Sequence, residues 1–321
     1  MKEYDFIVLG GMGCHYILKV DTIHRDDITC YVQNENFDEL FYGGTGLNIA
    51  YNLAKLGERC VLATTIQGPT LEKYEKVLDN IGISKEGLHY IQDQSKGIGL
   101  IIEDENKNRL TLSGKFKQGE RTPHPMDDAL FEKSRMAILS IDNKDNILAF
   151  LDKIKKHKLP FAFSMRSDTT IFTKEVLTLA VPAAEVVFCN NFEKSIILDA
   201  LGVSDITALF DYGSTKVIAV TDGKNGSDIW VKEAGGVSAY HIETSPTQGD
   251  VDCTGAGDAY VAGFMHGYCH HKTPVECAQL GSTLSSFIIE KCGCITNSPS
   301  KESLYKRLIT RKDCIERNLN Q

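Results

Sequence analysis

No apolar run in this 321-residue chain approaches the roughly 20 residues of a membrane-spanning helix. No basic block is long enough to grip nucleic acid or an anionic membrane surface, and the net charge of −8 is most simply a solubility feature. The phosphate loop G-x-x-x-x-G-K-[ST] occurs nowhere. The dinucleotide fingerprint is missing too: "GGMGCHY", after the first apolar run, lacks the third glycine. That argues against an NAD-dependent dehydrogenase. Repeats, low-complexity tracts and long linkers are absent.

A disulfide framework is also lacking. Most of the ten cysteines stand singly, often inside apolar runs, and only Cys292 and Cys294 form a tight pair. A second pair at zinc-finger spacing is absent. "HGYCHH" sets His266 and His270 four apart on one helix face, but no carboxylate follows in the metalloprotease pattern. Buried or surface thiols and solvated histidines are therefore expected. "MKEYDFIVLGG" has no signal-peptide features and reads as a first strand. The expected compartment is the reducing cytoplasm.

What is present is ordinary globular material, 42% hydrophobic and 24% charged. Apolar runs at 6–10, 60–64, 136–140, 161–165, 185–190 and 216–221 alternate with helix-period segments at 44–57, 70–82, 143–157, 174–181 and 191–201. That rhythm predicts an α/β fold with a mostly parallel sheet covered on both faces. Residues 28–42 and 88–113 break it, and "DENKN" is polar turn material between two β-rich runs, a hairpin. Such an extra sheet serves as a lid over a site, or as an edge that blocks aggregation or pairs with a second subunit.

Chemistry concentrates in "VDCTGAGDAYVAGF", residues 251–264. A capped core helix explains most of it, since Val261, Phe264, Met265 and Tyr268 share one helical face. It does not explain three small residues in a row, Gly255, Ala256 and Gly257, before the helix. Their bare N–H groups at a helix N-terminus suit a phosphate or a developing oxyanion. Asp258 beside them is more sensible as a general base than as a binding group. Earlier, "FYGGTGLNIAYNLAKLG" (41–57) reads either as a tight turn into a core helix or as a ligand approach. In the second reading Gly43 and Gly44 meet the ligand, and Asn48 offers amide donor and acceptor to hydroxyls.

The early "GGTGLN" and late "DCTGAGD", in that order and at that separation, resemble the ribokinase-like PfkB family of carbohydrate and nucleoside kinases. "NNFE" (190–193) is similar to the family's N-x-x-E element, "VTDGKNG" (220–226) to its T-x-G-x-x-G turn, and "KCGCITNSP" (291–299) to its C-terminal segment. The resemblance spans nearly the whole chain. It implies a single domain over 1–321: a three-layer α/β/α core with a small β lid from about 14–42 and 88–120. It also implies ATP-dependent phosphorylation of a sugar or nucleoside hydroxyl, with Asp258 as base and the Gly255–Gly257 backbone as anion hole. Asn190 and Glu193 would support Mg²⁺, and Thr221, Gly223 and Gly226 would hold the nucleotide. Asp252 would join carbonyls around Cys253 and Gly293 in a potassium site. Pairing of that extra sheet's edge with a second subunit would give a homodimer through the lid. The plainer explanations are a helix-start acid for Glu193 and a strand-end hydroxyl for Thr221.

Two departures stand out. His15 occupies the position where family members usually carry an aspartate that accepts from sugar hydroxyls, and "IQGPTLEKY" (66–74) replaces an acidic G-x-D segment. The phosphotransfer half thus looks intact and the acceptor half altered. "GGTGLNIAYNLAKLG" leans toward the adenosine-kinase-like branch, so a nucleoside or ribosyl acceptor is expected. The alternative is a catalytically weak relative that binds a sugar or nucleotide.

Overall fold

The computed structural model describes residues 2–24, 26–67, 71–91, 98–106, 108–112, 124–249, 251–310 and 317–318. Along the chain run β1 (Tyr4–Leu9), β2 (Gly13–Val20), β3 (Phe41–Gly43), α1 (Thr45–Lys55), β4 (Cys60–Gln67) and α2 (Leu71–Ile81). Then come β5 (Leu88–Ile91), β6 (Ile98–Asp104), β7 (Arg109–Leu112), α3 (Asp128–Lys133), β8 (Ser134–Leu139) and α4 (Lys144–His157). Next are β9 (Phe161–Ser164), α5 (Lys174–Ala183), β10 (Val186–Asn190), α6 (Asn191–Leu201) and β11 (Val217–Thr221). The chain closes with β12 (Ser227–Glu233), β13 (Gly236–Ile242), α7 (Ala256–Cys269), α8 (Pro274–Ile288), α9 (Lys301–Thr310) and β14 (Arg317–Asn318).

Ten strands form one sheet in the order β14-β13-β12-β11-β10-β9-β8-β1-β4-β5. Seven of them, from β11 to β5, pair in parallel, and β12 to β14 extend one edge antiparallel. Strand residues alternate between two cores. Phe6, Val8, Leu62 and Ile138 pack with α1, α7 and α8, while Ile7, Leu9, Val61 and Leu139 pack with α3, α4 and α5. Burial on both faces is why these strands read as unbroken apolar runs. The three layers are those of a ribokinase-like α/β/α fold.

A second, four-stranded sheet has the order β3-β2-β6-β7. The expected hairpin is there: β6 and β7 pair antiparallel, and Asp104 closes the turn by accepting from the Asn108 backbone and side chain at 2.9 Å each. Leu88–Ile91 corrects the expected lid boundary, because β5 pairs with β4 in the large sheet. Of the expected lid, residues 25, 92–97, 107 and 113–120 lie outside the described residues, as do 68–70 of "IQGPTLEKY".

The small residues of α7 have a packing purpose. A Cβ on Gly263 would lie 2.6 Å from the Leu280 carbonyl oxygen, and one on Gly281 would lie 2.7 Å from that of Tyr260. The α7–α8 crossing therefore requires glycine on both helices. From Asp258 to Gly267, α7 is buried on every side, which fixes its N-terminus rigidly at the strand ends.

Candidate active site

The carboxyl ends of the parallel strands meet the start of α7, the usual place for a ligand crevice in such sheets. A cavity of about 320 Å³ opens there. Asn190 at the end of β10, Glu193 on α6, Thr221 at the end of β11, and Gly255, Gly257 and Asp258 at the start of α7 all line it. Residues that sequence motifs place far apart thus share one wall.

Asp258 is nearly buried and held from two sides. The Asn48 amide donates to its Oδ2 at 2.7 Å, and the Arg166 guanidinium pairs with Oδ1. Asn48 therefore directs an amide N–H to the carboxylate, while its Oδ1 is buried without a hydrogen-bond partner among the described residues. Gly255, the N-cap of α7, has a φ of 83° and lies against Cys294, where a Cβ would come within 2.8 Å. Its glycine is required by both conformation and packing. The N–H groups of Gly255 and Gly257 have no backbone acceptor among the described residues, whereas that of Ala256 donates to the Cys253 carbonyl at 3.2 Å. The expected three-residue cradle is thus two free donors and one engaged.

Asn190 and Glu193 form a reciprocal capping box on α6: the Asn190 side chain accepts from the Glu193 N–H at 2.8 Å, and Glu193 accepts from the Asn190 N–H at 2.9 Å. The helix-start explanation is correct as far as it goes. Yet both residues also line the cavity, and Glu193 accepts from Ser167 Oγ at 3.1 Å. Burial pushes the Glu193 carboxyl above the usual carboxylate range, against the opposing pull of Arg166 and the Asn190 N–H. A buried carboxylate with unused lone pairs facing a polar cavity fits a hydrated Mg²⁺.

Asp252 does not fit the potassium role. It is fully buried; Oδ1 accepts from Thr254 N–H and Oγ1 at 3.0 and 2.6 Å, and Oδ2 accepts from Gly293 N–H at 3.0 Å. Arg109 lies 3.5 Å away, so a cationic charge already faces it. The carboxylate clamps the 291–299 segment against the start of α7, and Cys294 in that segment is buried.

The remaining expected residues divide. Thr221 reaches the cavity, but Gly223 and Gly226 belong to the turn beyond it. Gly226 (φ 91°) is held by contact with the Ile242 carbonyl, while Gly223 (φ 53°) borders open space. Gly44 (φ 98°) would place a Cβ 2.5 Å from the Gly11 carbonyl oxygen, so its bareness serves the packing of the "GGTG" turn on Gly10–Gly11. Packing is thus sufficient reason for this glycine, whatever its backbone meets on the ligand side. A Cβ on Gly43 would sit 3.2 Å from His15 Nδ1 and 3.2 Å from Cys294 Sγ. His15, on β2 opposite Phe41, packs between Gly43 and Gly99, and its Nδ1 is buried without a hydrogen-bond partner among the described residues. Burial lowers its pKa, only partly offset by the Asp252 charge. The imidazole is thus more firmly neutral near pH 7 than an exposed one.

Two cavity residues escaped the sequence reading. Arg166 follows β9 in "FSMRS" and is braced by Ser164 Oγ at 3.1 Å and the Met165 carbonyl at 2.6 Å. Burial depresses its guanidinium and Glu193 raises it, and arginine stays cationic regardless. An arginine just past an apolar strand, level with Asn190 and Thr221, was the available signal. Arg109 reaches in from β7, donating to Glu103 at 2.7 Å and Cys253 Sγ at 3.1 Å.

Comparison with known proteins matches a family model described as pfkB family carbohydrate kinase over residues 15–301. The chain is 25% identical to the nucleoside kinase of Methanothermobacter thermautotrophicus, covering 95% of this chain and 96% of that one. It is 27% identical to the nucleoside kinase of Methanocaldococcus jannaschii, covering 96% and 97% respectively. Among solved structures, Burkholderia thailandensis nucleoside kinase in complex with inosine superposes with a TM-score of 0.81 at 20% identity, covering 95% of this chain and 97% of that one.

Proposed function

This chain belongs to the pfkB family of carbohydrate kinases, and from that premise we propose that it phosphorylates a nucleoside, with Asp258 as general base. It is an ATP-dependent kinase acting on a sugar or nucleoside. The observation that carries the finer reading is the buried Asp258 carboxylate beside the free N–H groups of Gly255 and Gly257. Two nucleoside kinase relatives aligned over almost the whole chain support the acceptor class.

The acceptor O–H donates its proton to Asp258 as its oxygen attacks the γ-phosphorus of ATP. The new O–P bond forms while the bond from that phosphorus to the ADP leaving group breaks. Gly255 and Gly257 N–H groups, at the positive end of the α7 dipole, face the phosphoryl oxygens as charge builds on them. Arg166 supplies a cation on the other side of the carboxylate. As phosphate enters, the guanidinium turns toward it and frees Asp258 for the proton. Asn190 and Glu193 would hold Mg²⁺, which neutralises phosphate charge when bound. Thr221 and Gly223 would border the nucleotide. No step uses potassium.

The unpartnered His15 Nδ1 and Asn48 Oδ1 would meet the sugar hydroxyls. The small sheet would act as a lid, since it carries both His15 and Arg109. Its exposed Leu100, Leu110 and Leu112 would pair with a second copy of the chain.

The test is a panel of nucleosides, ribose and hexoses assayed by ADP release, with Asp258→Asn alongside. Nucleosides should give the highest kcat/KM, and the variant should lose roughly 10²–10⁴-fold in turnover while ATP binding holds. A preference for ribose or a hexose would overturn the acceptor, and wild-type turnover in the variant would overturn the base.

A further inference from the structure

The carboxylate that "HGYCHH" lacks in sequence arrives in space. Glu58, just past α1, places Oε1 2.6 Å from His266 Nδ1 and 2.8 Å from His270 Nε2. One ligand-type atom from each lies within 4.8 Å of the others. The cluster sits at the C-terminal end of α7. It is eight residues beyond Asp258, or about 12 Å along the helix, and shares no residue with the lining of the kinase cavity.

We propose that Glu58, His266 and His270 bind a divalent transition-metal ion, zinc being the best match, at a site separate from the kinase centre. Two imidazoles and one carboxylate are a known tetrahedral zinc set with a fourth position open. The i, i+4 spacing of the histidines puts both rings on one helix face. Tyr305 OH lies 3.2 Å from His266 Nε2, so it can accept from that nitrogen and leave the Nδ1 lone pair toward the ion. The negative end of the α7 dipole favours a cation there. Glu58 and His266 are buried, but the His270 side chain is 47% exposed, which supplies both an entry path and a solvent-facing fourth position.

The charge balance is consistent. Desolvation opposes ionisation of Glu58, yet the two histidines outweigh it and hold its carboxyl below the usual range. Neighbouring Cys269 donates its thiol to the His266 carbonyl at 3.2 Å, and the ligand atoms that converge are those of Glu58, His266 and His270, a nitrogen and oxygen set. On binding, a proton on either facing ring nitrogen is released to solvent and the lone pair passes to the metal. Zinc bonds of 2.0–2.2 Å separate tetrahedral ligands by about 3.3 Å, so the carboxylate–imidazole pairs must widen by roughly 0.6 Å. A rotation of half-exposed His270 widens its own pair, and a small shift of the Glu58 carboxylate away from His266 widens the other. The ion would tie the turn after α1, the end of α7 and α9 together.

The experiment titrates chelator-treated full-length protein with Zn²⁺ against a chromophoric competitor, with X-ray absorption on the loaded sample. One equivalent should bind with nitrogen and oxygen ligands only, and the thermal midpoint should rise. His270→Ala, at an exposed position, should keep its kinase turnover yet weaken zinc by at least ~100-fold and abolish the thermal shift. Tyr305→Phe should weaken it about 10-fold, the lower end of what lost supporting contacts cost. Sulfur-dominated coordination, or zinc affinity unchanged by His270→Ala, would place the metal on cysteines and overturn the site. Absence of stoichiometric binding would leave a hydrogen-bonded Glu–His cluster only.

Discussion

The two ends of the reaction site are built differently. At the phosphoryl end, the carboxylates of Asp258, Glu193 and Asp252 each accept hydrogen bonds from the protein. At the proposed acceptor end, His15 Nδ1 and Asn48 Oδ1 are buried with no hydrogen-bond partner among the described residues, and so are Thr45 Oγ1 and Asn52 Oδ1 on the α1 helix. A buried polar atom left unpaired costs about 1–3 kcal/mol, so four in one neighbourhood call for an explanation. Charge stabilisation demands groups fixed before reaction. Recognition of hydroxyls allows groups that stay unmet until the substrate supplies their partner. On the proposed function, one end is preorganised by the fold and the other would be completed by its ligand.

The sharpest way to break that comparison is at Arg166. Arg166→Ala removes the cation beside Asp258, and turnover should fall by roughly 10²–10³-fold, the scale of losing one charge-stabilising donor. Single-turnover kinetics separate this from binding, and Arg166→Lys should recover only part of it because the fork geometry is lost. Unaltered chemistry in the alanine variant would make the guanidinium a structural counter-ion only.

Asn48 belongs to both ends, donating to Asp258 and offering an unpaired oxygen. Asn48→Ala should lower kcat/KM by about 10–100-fold, matching a hydrogen bond to a charged group at ~1.5–3 kcal/mol. Asn48→Asp keeps the acceptor but sets a second carboxylate against Asp258, so it should be worse than alanine in kcat. Equal effects of the two variants would mean that only the lost amide donor matters, and near-wild-type turnover in Asn48→Asp would mean that only the acceptor oxygen does.

At Glu193 the capping role and the ion role separate by experiment. Glu193→Gln keeps an acceptor for the Asn190 N–H, so thermal stability should drop by no more than about 1 kcal/mol. The Mg²⁺ concentration for half-maximal rate should nonetheless rise several-fold. An unchanged magnesium titration would leave Glu193 as a helix cap.

The smallest effect is expected at His15. Burial lowers its pKa, so an acceptor-affinity change carried by His15 is expected below the reference histidine value of about 6.5. Acceptor KM should be flat above the reference value of about 6.5 and rise below it. The same group weakens the fold in acid. The unfolded chain binds the proton more readily, so stability is full above about pH 6.5 and declines as pH falls toward the lower folded pKa. His15→Asp should remove the histidine limb from the KM profile and favour acceptors with a free diol. A KM profile identical in wild type and variant would make His15 a bystander.

Much of this was legible in the chain. The six apolar runs are strands of the large sheet, and the five helical segments appear within a residue or two at most ends. Burial on two faces writes itself into composition at every position of such a strand. Lone elements with weaker patterns escaped: β12 and β13 alternate half-buried residues, and β5 sits among polar neighbours. The motif glycines were found, but their reasons were not. Gly44 and Gly226 are demanded by contacts with Gly11 and Ile242, partners that no local spacing reveals.

The sequence by itself determined the alternation of strands and helices, the small-residue start of α7 and the acid that follows it. These depend on periodicity and on backbone freedom, which act between near neighbours in the chain. Tertiary structure alone decided that Arg166 meets Asp258, that Asn48 spends its donor there, and that Glu58 joins two histidines more than 200 residues away. Those pairings depend on where rigid layers bring distant side chains together. The energies involved are electrostatic and local in space, and nothing in their spacing along the chain records them.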